Sequence, residues 1–468
     1  MAVQGSILGN AVLRREDPSL LVGDDKFCDD LNITGIGHVY FVRSVMAHAN
    51  IGAVDISSAV DMPGVRGVWT ADTLEAAPFL AFPLFPPHVA RPPLAKGKVR
   101  FVGDILAVVV ADSLAEAIDA GEAVFVDYDE LPAVSDAEAA LASDAPVIFE
   151  EHGSNMIFET AIGADEDPLV GAEHITEGRV VSQRLAGVPM ENNGCVVVPG
   201  DNGHLTIWIS SQNPIAVRDA LVPQLGLDAA NVRVVAPAVG GGFGPKAGPY
   251  TEQILTTMVA MQLNQPVKWT ELRSENMVAM VHGRDMVLYA KLGTTNDGII
   301  TGLDLDVIAN GGAYPAIGAF LTVFTQTMSQ GVYKIPKLRF HARSAITNTT
   351  TTAAYRGAGR PEATQVLERI IDMAAKELDI DPAEMRRRNF LTPDMFPLTT
   401  TAAPTTTVAN TRPLDEALRQ ADYQGMVAMQ AARRAEGGPR QLGIGLRRTS
   451  KLPPCWPPPG VRRGRDQR

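Results

Sequence analysis

The chain has 468 residues, of which 46% are hydrophobic and 20% charged, with a net charge of −12 and three cysteines. Its size fits about two to four domains with an ordinary apolar core, and its acidic balance gives no electrostatic reason to expect nucleic acid or an anionic membrane as partner. Cys28, Cys195 and Cys455 are far apart and form no C-x-x-C pair, which argues against a disulfide framework, a structural zinc site or an iron–sulfur cluster held by this chain alone.

Residues 1–16 hold no long apolar run and end in Arg14-Arg15-Glu16. Neither a secretory leader nor a spanning helix is expected there, and the cytoplasm is the expected location. The continuous β-prone run Ile105–Ala111 predicts a strand. Asp112 is placed to cap a helix over 113–123, and Val124–Tyr128 reads as the next strand. This strand–helix–strand order predicts a layered α/β fold. Phe79–Pro93 is rich in proline and reads as a surface loop, and the polar stretch 154–171 as an interdomain linker.

Further along, Leu205–Ile209, Val232–Val235, Pro266–Thr270 and Gly298–Ile308 read as strands and Thr251–Leu263 as a helix. Pro361–Asp379 carries the clearest helical stripe, through Val366, Ile370, Met373, Ala374 and Leu378. Asp381-Pro382-Ala383-Glu384 then resembles a capping box. Two stretches break the texture. Thr399–Pro413 is almost entirely Thr, Ala, Pro and Asn. Arg447–Arg468 holds seven Lys or Arg and five Pro with one acid, a composition that suits neither a helix nor a central strand. The expected division is residues 1–150, a linker over 151–171, residues 172–446, and an irregular tail over 447–468.

Two glycine-rich loops stand about 110 residues apart, Gly240-Gly241-Gly242-Phe243-Gly244-Pro245-Lys246 and Ala354-Tyr355-Arg356-Gly357-Ala358-Gly359-Arg360-Pro361-Glu362. Such loops let backbone N–H groups approach an anionic ligand. Neither nucleotide pattern fits the first loop. Ala247 stands where a P-loop needs Ser or Thr, and Pro245 takes the place of the last glycine of G-x-G-x-x-G. An independent nucleotide-binding protein is therefore disfavoured.

Taken together, the motifs resemble the molybdenum-binding large subunit of the xanthine dehydrogenase, aldehyde oxidase and aerobic carbon monoxide dehydrogenase family. One set comprises Arg43-Ser44, Ala47-His48-Ala49, Pro63-Gly64-Val65, Val99–Gly103 and Val126–Pro132. The other comprises Pro189-Met190-Glu191, Ser211-Gln212, the Gly240–Lys246 loop, Arg284 and the Arg356 loop. The resemblance covers most of residues 10–446. It implies an α/β (α+β) fold, with an N-terminal α/β hammerhead domain followed by the first molybdopterin-binding domain and with the second cofactor domain missing. It implies a molybdenum–molybdopterin cofactor in its cytosine dinucleotide form. A flavin (FAD) subunit and a [2Fe–2S] subunit are the implied partners, with homodimerisation of the heterotrimer. The implied reaction oxidises a small aldehyde or N-heterocycle with oxygen from water.

The resemblance also assigns residues. Gln212, Gly242, Phe243, Gly244, Arg356 and Gly357 would bind the cofactor, and Arg356 would also act catalytically by stabilising negative charge near an oxygen. The roles of Glu191, His48 and His282 stay open between structure and chemistry. No metal ligand is assigned to the protein. Gly357 follows the loop arginine where carbon monoxide-oxidising members place a copper-holding cysteine, which argues against carbon monoxide as substrate. Ala358 and Ala247 replace residues that purine and aldehyde oxidisers often use. The family's general-base glutamate, in a Gly-Glu-Pro-like motif, does not occur in this sequence. The likeness stops at Gly443–Leu446. The expectation is a C-terminally truncated chain, with reading-frame shifts behind both the 399–413 stretch and the tail. The alternative is an inactive fragment that acts at most as a partner-binding module.

Overall fold

The run Ile105–Ala111 is buried at every position because it is an interior strand of a seven-stranded sheet. The computed structural model describes residues 11–163, 167–395, 398–399, 404–405 and 412–447. Most of the 399–413 stretch and the tail from 448 on, with Cys455, lie outside the described residues. The fold is mixed α/β, and the chain divides into two units. The first takes residues 1–133, 186–281 and 348–350, and the second takes 134–185, 282–347 and 351–468. The two units thus interleave along the sequence.

In the first unit the strand order is Val232–Val235, Leu205–Ile209, Gly194–Pro199, Val267–Thr270, Gly37–Arg43, Ile105–Ala111 and Val65–Thr70. Gly37–Arg43 pairs in parallel with Val267–Thr270 and antiparallel with Ile105–Ala111, so distant parts of the sequence share one sheet. Helix Leu114–Glu122 packs on this sheet. Its cap is Ser113, whose hydroxyl accepts from the Glu116 N–H and donates to the Glu116 carboxylate. Asp112, the expected cap, instead pairs with Arg66 at 2.7 Å. The Ser113 hydroxyl, at the position just before the helix, reaches the Glu116 N–H, which Asp112 does not. Helix Thr251–Leu263 lies against Gly194–Pro199 and Val267–Thr270. Below it Arg43 is buried between Glu252 and Glu275, at 2.9 and 3.1 Å.

In the second unit five strands run in the order Met156–Ile162, Leu338–Ile346, Ile300–Gly312, Met286–Thr294 and His174–Ser182. Only the pair Ile300–Gly312 and Leu338–Ile346 is parallel. Helix Ile317–Met328 makes the crossover that a parallel pair needs. Helix Arg360–Glu377 buries Val366, Ile370 and Ala374 against the sheet, as its stripe predicts. Asp381 caps helix Pro382–Asn389 through the N–H groups of Ala383 and Glu384. The stretch expected as a linker contains the edge strand Met156–Ile162. It is an edge strand with one sheet neighbour, and its short, mostly apolar run is flanked by Gly153-Ser154-Asn155 and the acidic run at 165–167, so the surrounding composition looks like a loop. Among the described residues no helix is long and apolar enough to cross a membrane.

Candidate functional site

Strand Leu205–Ile209 ends just before Ser211-Gln212-Asn213, and Asn213 caps helix Pro214–Gln224 by accepting from the Ala216 N–H at 3.1 Å. This turn is tied to the first glycine loop. The Gln212 N–H and the Ser211 hydroxyl both donate to the Lys246 carbonyl, at 2.9 and 3.1 Å. The Gly244 N–H donates to Gln212 Oε1 at 2.8 Å. An N–H donor must meet an oxygen, so this bond fixes which way the amide lies. Oε1 faces the loop, and the NH2 group, with two protons to donate, faces away.

The loop follows a path that few residue types allow. Gly241 and Gly244 sit at φ +105° and +110°, and Phe243 at +57°. A Cβ on Gly240 would stand 2.5 Å from Glu191 Cβ, and one on Gly242 would stand 2.4 Å from Gln212 Cγ and Oε1. The glycines are therefore required for contact with Glu191 and Gln212 as well as for turning. The half-buried Phe243 ring folds back toward Gly241.

Lys246 is fully buried, and its ammonium donates to the Glu191 carbonyl (2.7 Å), the Asn192 carbonyl (3.1 Å) and Ser210 Oγ (2.6 Å), with Glu191 Oε2 at 3.3 Å. Burial pulls its pKa below the usual lysine value, and the Glu191 carboxylate opposes that fall. Glu191 Oε2 also accepts from the Ser210 hydroxyl and the Gly240 N–H, at 2.6 and 2.7 Å. The arrangement ties Glu191 into the support of the loop, and the sequence had left its role open. Arg273 holds the carbonyl of Pro189, two residues before Glu191, at 2.6 Å.

The second glycine loop lies in the second unit. Tyr355 is followed by the exposed Arg356, then by Gly357 at φ +106°, Ala358 at +39° and Gly359 at +88°, which starts helix Arg360–Glu377. A Cβ on Gly359 would stand 2.6 Å from Phe324 Cβ. Arg284 reaches this loop and bonds the Tyr355 and Arg356 carbonyls, at 3.1 and 2.6 Å, and Glu362 at 3.1 Å. Gln212, Gly242, Phe243 and Gly244 thus share one turn system in the first unit, and Arg356 and Gly357 share another in the second.

His48 Nδ1 lies 2.7 Å from the Pro132 carbonyl and His282 Nδ1 lies 3.3 Å from Arg184. These contacts are structural in character. The buried partners Lys246, Ser210 and Glu362 were missed as functional supports. The only hint in the sequence is a cation or acid beside glycines, because their partners lie tens of residues away.

The family description "Molybdopterin cofactor-binding domain" matches residues 148–390, and "Aldehyde oxidase and xanthine dehydrogenase, a/b hammerhead domain" matches residues 22–132. The carbon monoxide dehydrogenase large chain of Hydrogenophaga pseudoflava is 35% identical over 92% of this chain and 56% of its own length. The nicotine 6-hydroxylase large subunit of Paenarthrobacter nicotinovorans is 32% identical over 94% of this chain and 55% of its own. The crystal structure of quinoline 2-oxidoreductase from Pseudomonas putida 86 is similar at a TM-score of 0.84 and 32% identity, over 92% of this chain and 56% of that one. The chain spans about half the length of the curated relatives it matches.

Proposed function

The chain belongs to the aldehyde oxidase and xanthine dehydrogenase family of molybdopterin-binding proteins, and from that premise we propose that it is the cofactor-binding part of a molybdenum hydroxylase that oxidises a small aldehyde or N-heterocycle. The observation that carries this reading is the Gln212 amide, whose oxygen is held by Gly244 while its NH2 group is left to donate. A polar amide anchored in this way suits an anionic oxygen on a bound group.

The residues fit such a group. Gly240 and Gly242 bring the loop against Glu191 and Gln212 at distances that any side chain would prevent, and so hold the Gln212 amide in place. When bound, a molybdenum–pterin group supplies transfer of oxygen from water to carbon and uptake of two electrons. Gln212 would donate to one of its oxygens. Phe243 and the backbone of Gly242 and Gly244 would lie against it. Arg356 would stabilise negative charge through its guanidinium, with Gly357 giving close backbone approach.

The finer parts of the reading follow from family resemblance. They are the cytosine dinucleotide form of the cofactor, electron transfer to [2Fe–2S] and flavin subunits, a homodimer of that heterotrimer, and a cytoplasmic setting. Gly357 in place of a cysteine turns the reading away from carbon monoxide as substrate.

The test is to produce the 468-residue chain in a host that makes the cofactor, then measure molybdenum by mass spectrometry and pterin by fluorescence after oxidation. Stoichiometric amounts of both, reduced by substitution at Gln212, support the reading. Folded chain that carries neither metal nor pterin would refute it. A dye-linked assay with aldehydes and N-heterocycles then separates binding from turnover.

A further inference from the structure

We infer that Arg284 is the positioning residue of the second glycine loop, orienting the peptides between Tyr355 and Gly357 so that their N–H groups face the ligand side. The inference rests on the cofactor reading only for what the loop holds. The positioning concerns this chain alone.

The Arg284 side chain is only 9% exposed, and its guanidinium has three partners on the loop and the helix that follows. Nη1 donates to the Tyr355 carbonyl and to Glu362 Oε1, both at 3.1 Å, and Nη2 donates to the Arg356 carbonyl at 2.6 Å. The guanidinium carbon also stands 5.0 Å from the centre of the Tyr355 ring. In a trans peptide the C=O and N–H point in opposite directions. Arg284 pins the Arg356 carbonyl and joins the Ala358 N–H, at 2.8 Å, in holding that of Tyr355, which turns the N–H groups of Arg356 and Gly357 to the other side. Two successive N–H groups on one side of a loop form an anion-binding concavity.

Three observations indicate that this arrangement is built rather than incidental. First, Arg284 and Asp285 both lie at φ +65°, a conformation unusual for one non-glycine residue and more so for two in succession. Second, that backbone is clamped. Asp285 receives a bond from Arg184 at 2.7 Å, and its carbonyl accepts from the Asn310 N–H at 2.9 Å. A Cβ on Gly283 would fall 2.3 Å from Tyr355 Cβ, so the segment can approach the loop only with glycine there. Third, Glu362 is wholly buried on the first turn of the following helix and offers Oε1 to Arg284, while its Oε2 has no hydrogen-bond partner among the described residues. The carboxylate fixes the guanidinium from behind, and the guanidinium fixes the loop. Lysine offers no planar fork that could reach both carbonyls and the carboxylate together.

The experiment compares the full-length wild type with Arg284→Gln, Arg284→Lys and the double variant Arg284→Met/Glu362→Gln. Three quantities are read: the rate of tryptic cleavage at the Arg356–Gly357 bond by mass spectrometry, the thermal midpoint, and the pterin retained per chain. Arg284→Gln should be cut at that bond about tenfold faster than wild type, as a freed loop opens locally, and should retain less pterin. Arg284→Lys should fall between the two. The double variant, which removes the buried charge pair together, should regain the thermal midpoint yet stay cleavable and poor in pterin. Unchanged cleavage in Arg284→Gln would overturn the inference. So would a double variant that regains protection as well as stability, since Arg284 would then only neutralise Glu362. A wild-type chain that never holds pterin would defeat the cofactor reading, and the cleavage comparison would still decide the positioning.

Discussion

The carboxamide oxygen of Gln212 accepts the backbone N–H of Gly244 at 2.8 Å, across 32 residues of sequence. This single contact makes the amide directional, because it commits the oxygen inward and leaves only donors outward. It also explains why Gly242 is glycine, since a Cβ there would occupy the space of the Gln212 side chain.

Gln212→Glu tests the direction of that amide. A carboxylate still accepts from Gly244, so the loop should keep its path and the thermal midpoint should stay close to wild type. The second oxygen can no longer donate and carries negative charge toward an anionic ligand. Retained molybdenum should fall, and any dye-linked turnover should drop by about 10²-fold, the scale set by loss of one well-placed donor. Metal content and turnover equal to wild type would remove Gln212 from the site.

Lys246→Met should destabilise the first unit by about 3–5 kcal/mol, as expected when one partner of a buried pair is removed. The substitution strips donors from two carbonyls, from Ser210 and from the Glu191 carboxylate, which is only 14% exposed. Urea titration of the variant reads the loss directly. Lys246→Met/Glu191→Gln should recover part of it, because no buried carboxylate is then left without its cation. A loss below about 1 kcal/mol would mean that the ammonium is as dispensable as a surface pair.

Arg386→Met should cost the second unit about the same 3–5 kcal/mol. Its guanidinium is 1% exposed and joins helix Pro382–Asn389 to helix Arg360–Glu377 through Glu368 and Asp372, at 2.7 and 2.8 Å. Tyr333 donates to the other Glu368 oxygen at 2.8 Å, which extends the network to a third segment. Adding Glu368→Gln to Arg386→Met should restore part of the stability in denaturant titration. No recovery would show that packing of the arginine stem, rather than charge pairing, holds the helices.

The regular elements were legible where one local pattern governs them. Ile105–Ala111 is apolar at each position because both faces are covered, and the stripe of helix Arg360–Glu377 repeats at helical spacing. The strand Met156–Ile162 was not legible, since it is a short apolar run set between the polar residues 153–155 and 165–167, whose composition reads as a loop. Nor was the sharing of one sheet by Gly37–Arg43 and Val267–Thr270, because pairing across more than 200 residues leaves no local signal. Of the site, the glycines and Gln212 stood out only as a combination of motifs. Lys246 and Glu362 stood out only as members of the two loops, and their supporting roles did not, since these depend on partners 36 to 78 residues distant.

Glu271 should give the first unit a stability that declines as pH rises. It is 2% exposed, and the Asn193 N–H and the Asn276 amide both donate to its Oε2, at 2.9 and 2.7 Å. Both donors converge on one oxygen, so the other can keep a proton. Burial pushes its pKa up to about 7 from an ordinary 4.5, while the bonds from Asn276 and Asn193 oppose the rise. Because the folded value lies above the unfolded one, the folded chain holds a proton that the unfolded chain has already lost. Stability is therefore fully present below pH 4.5, falls between 4.5 and about 7, and levels off above. The full decline is about 3 kcal/mol. Glu271→Gln places an uncharged oxygen where the two donors meet, and so removes the titration while keeping the acceptor. Urea titrations of wild type and variant between pH 4.5 and 8 should converge at the acid end and separate toward neutrality, with the variant more stable. Glu275, also raised by burial, titrates in both proteins and cancels in the comparison. Parallel curves across that range would mean that Glu271 ionises in the folded chain as readily as in water.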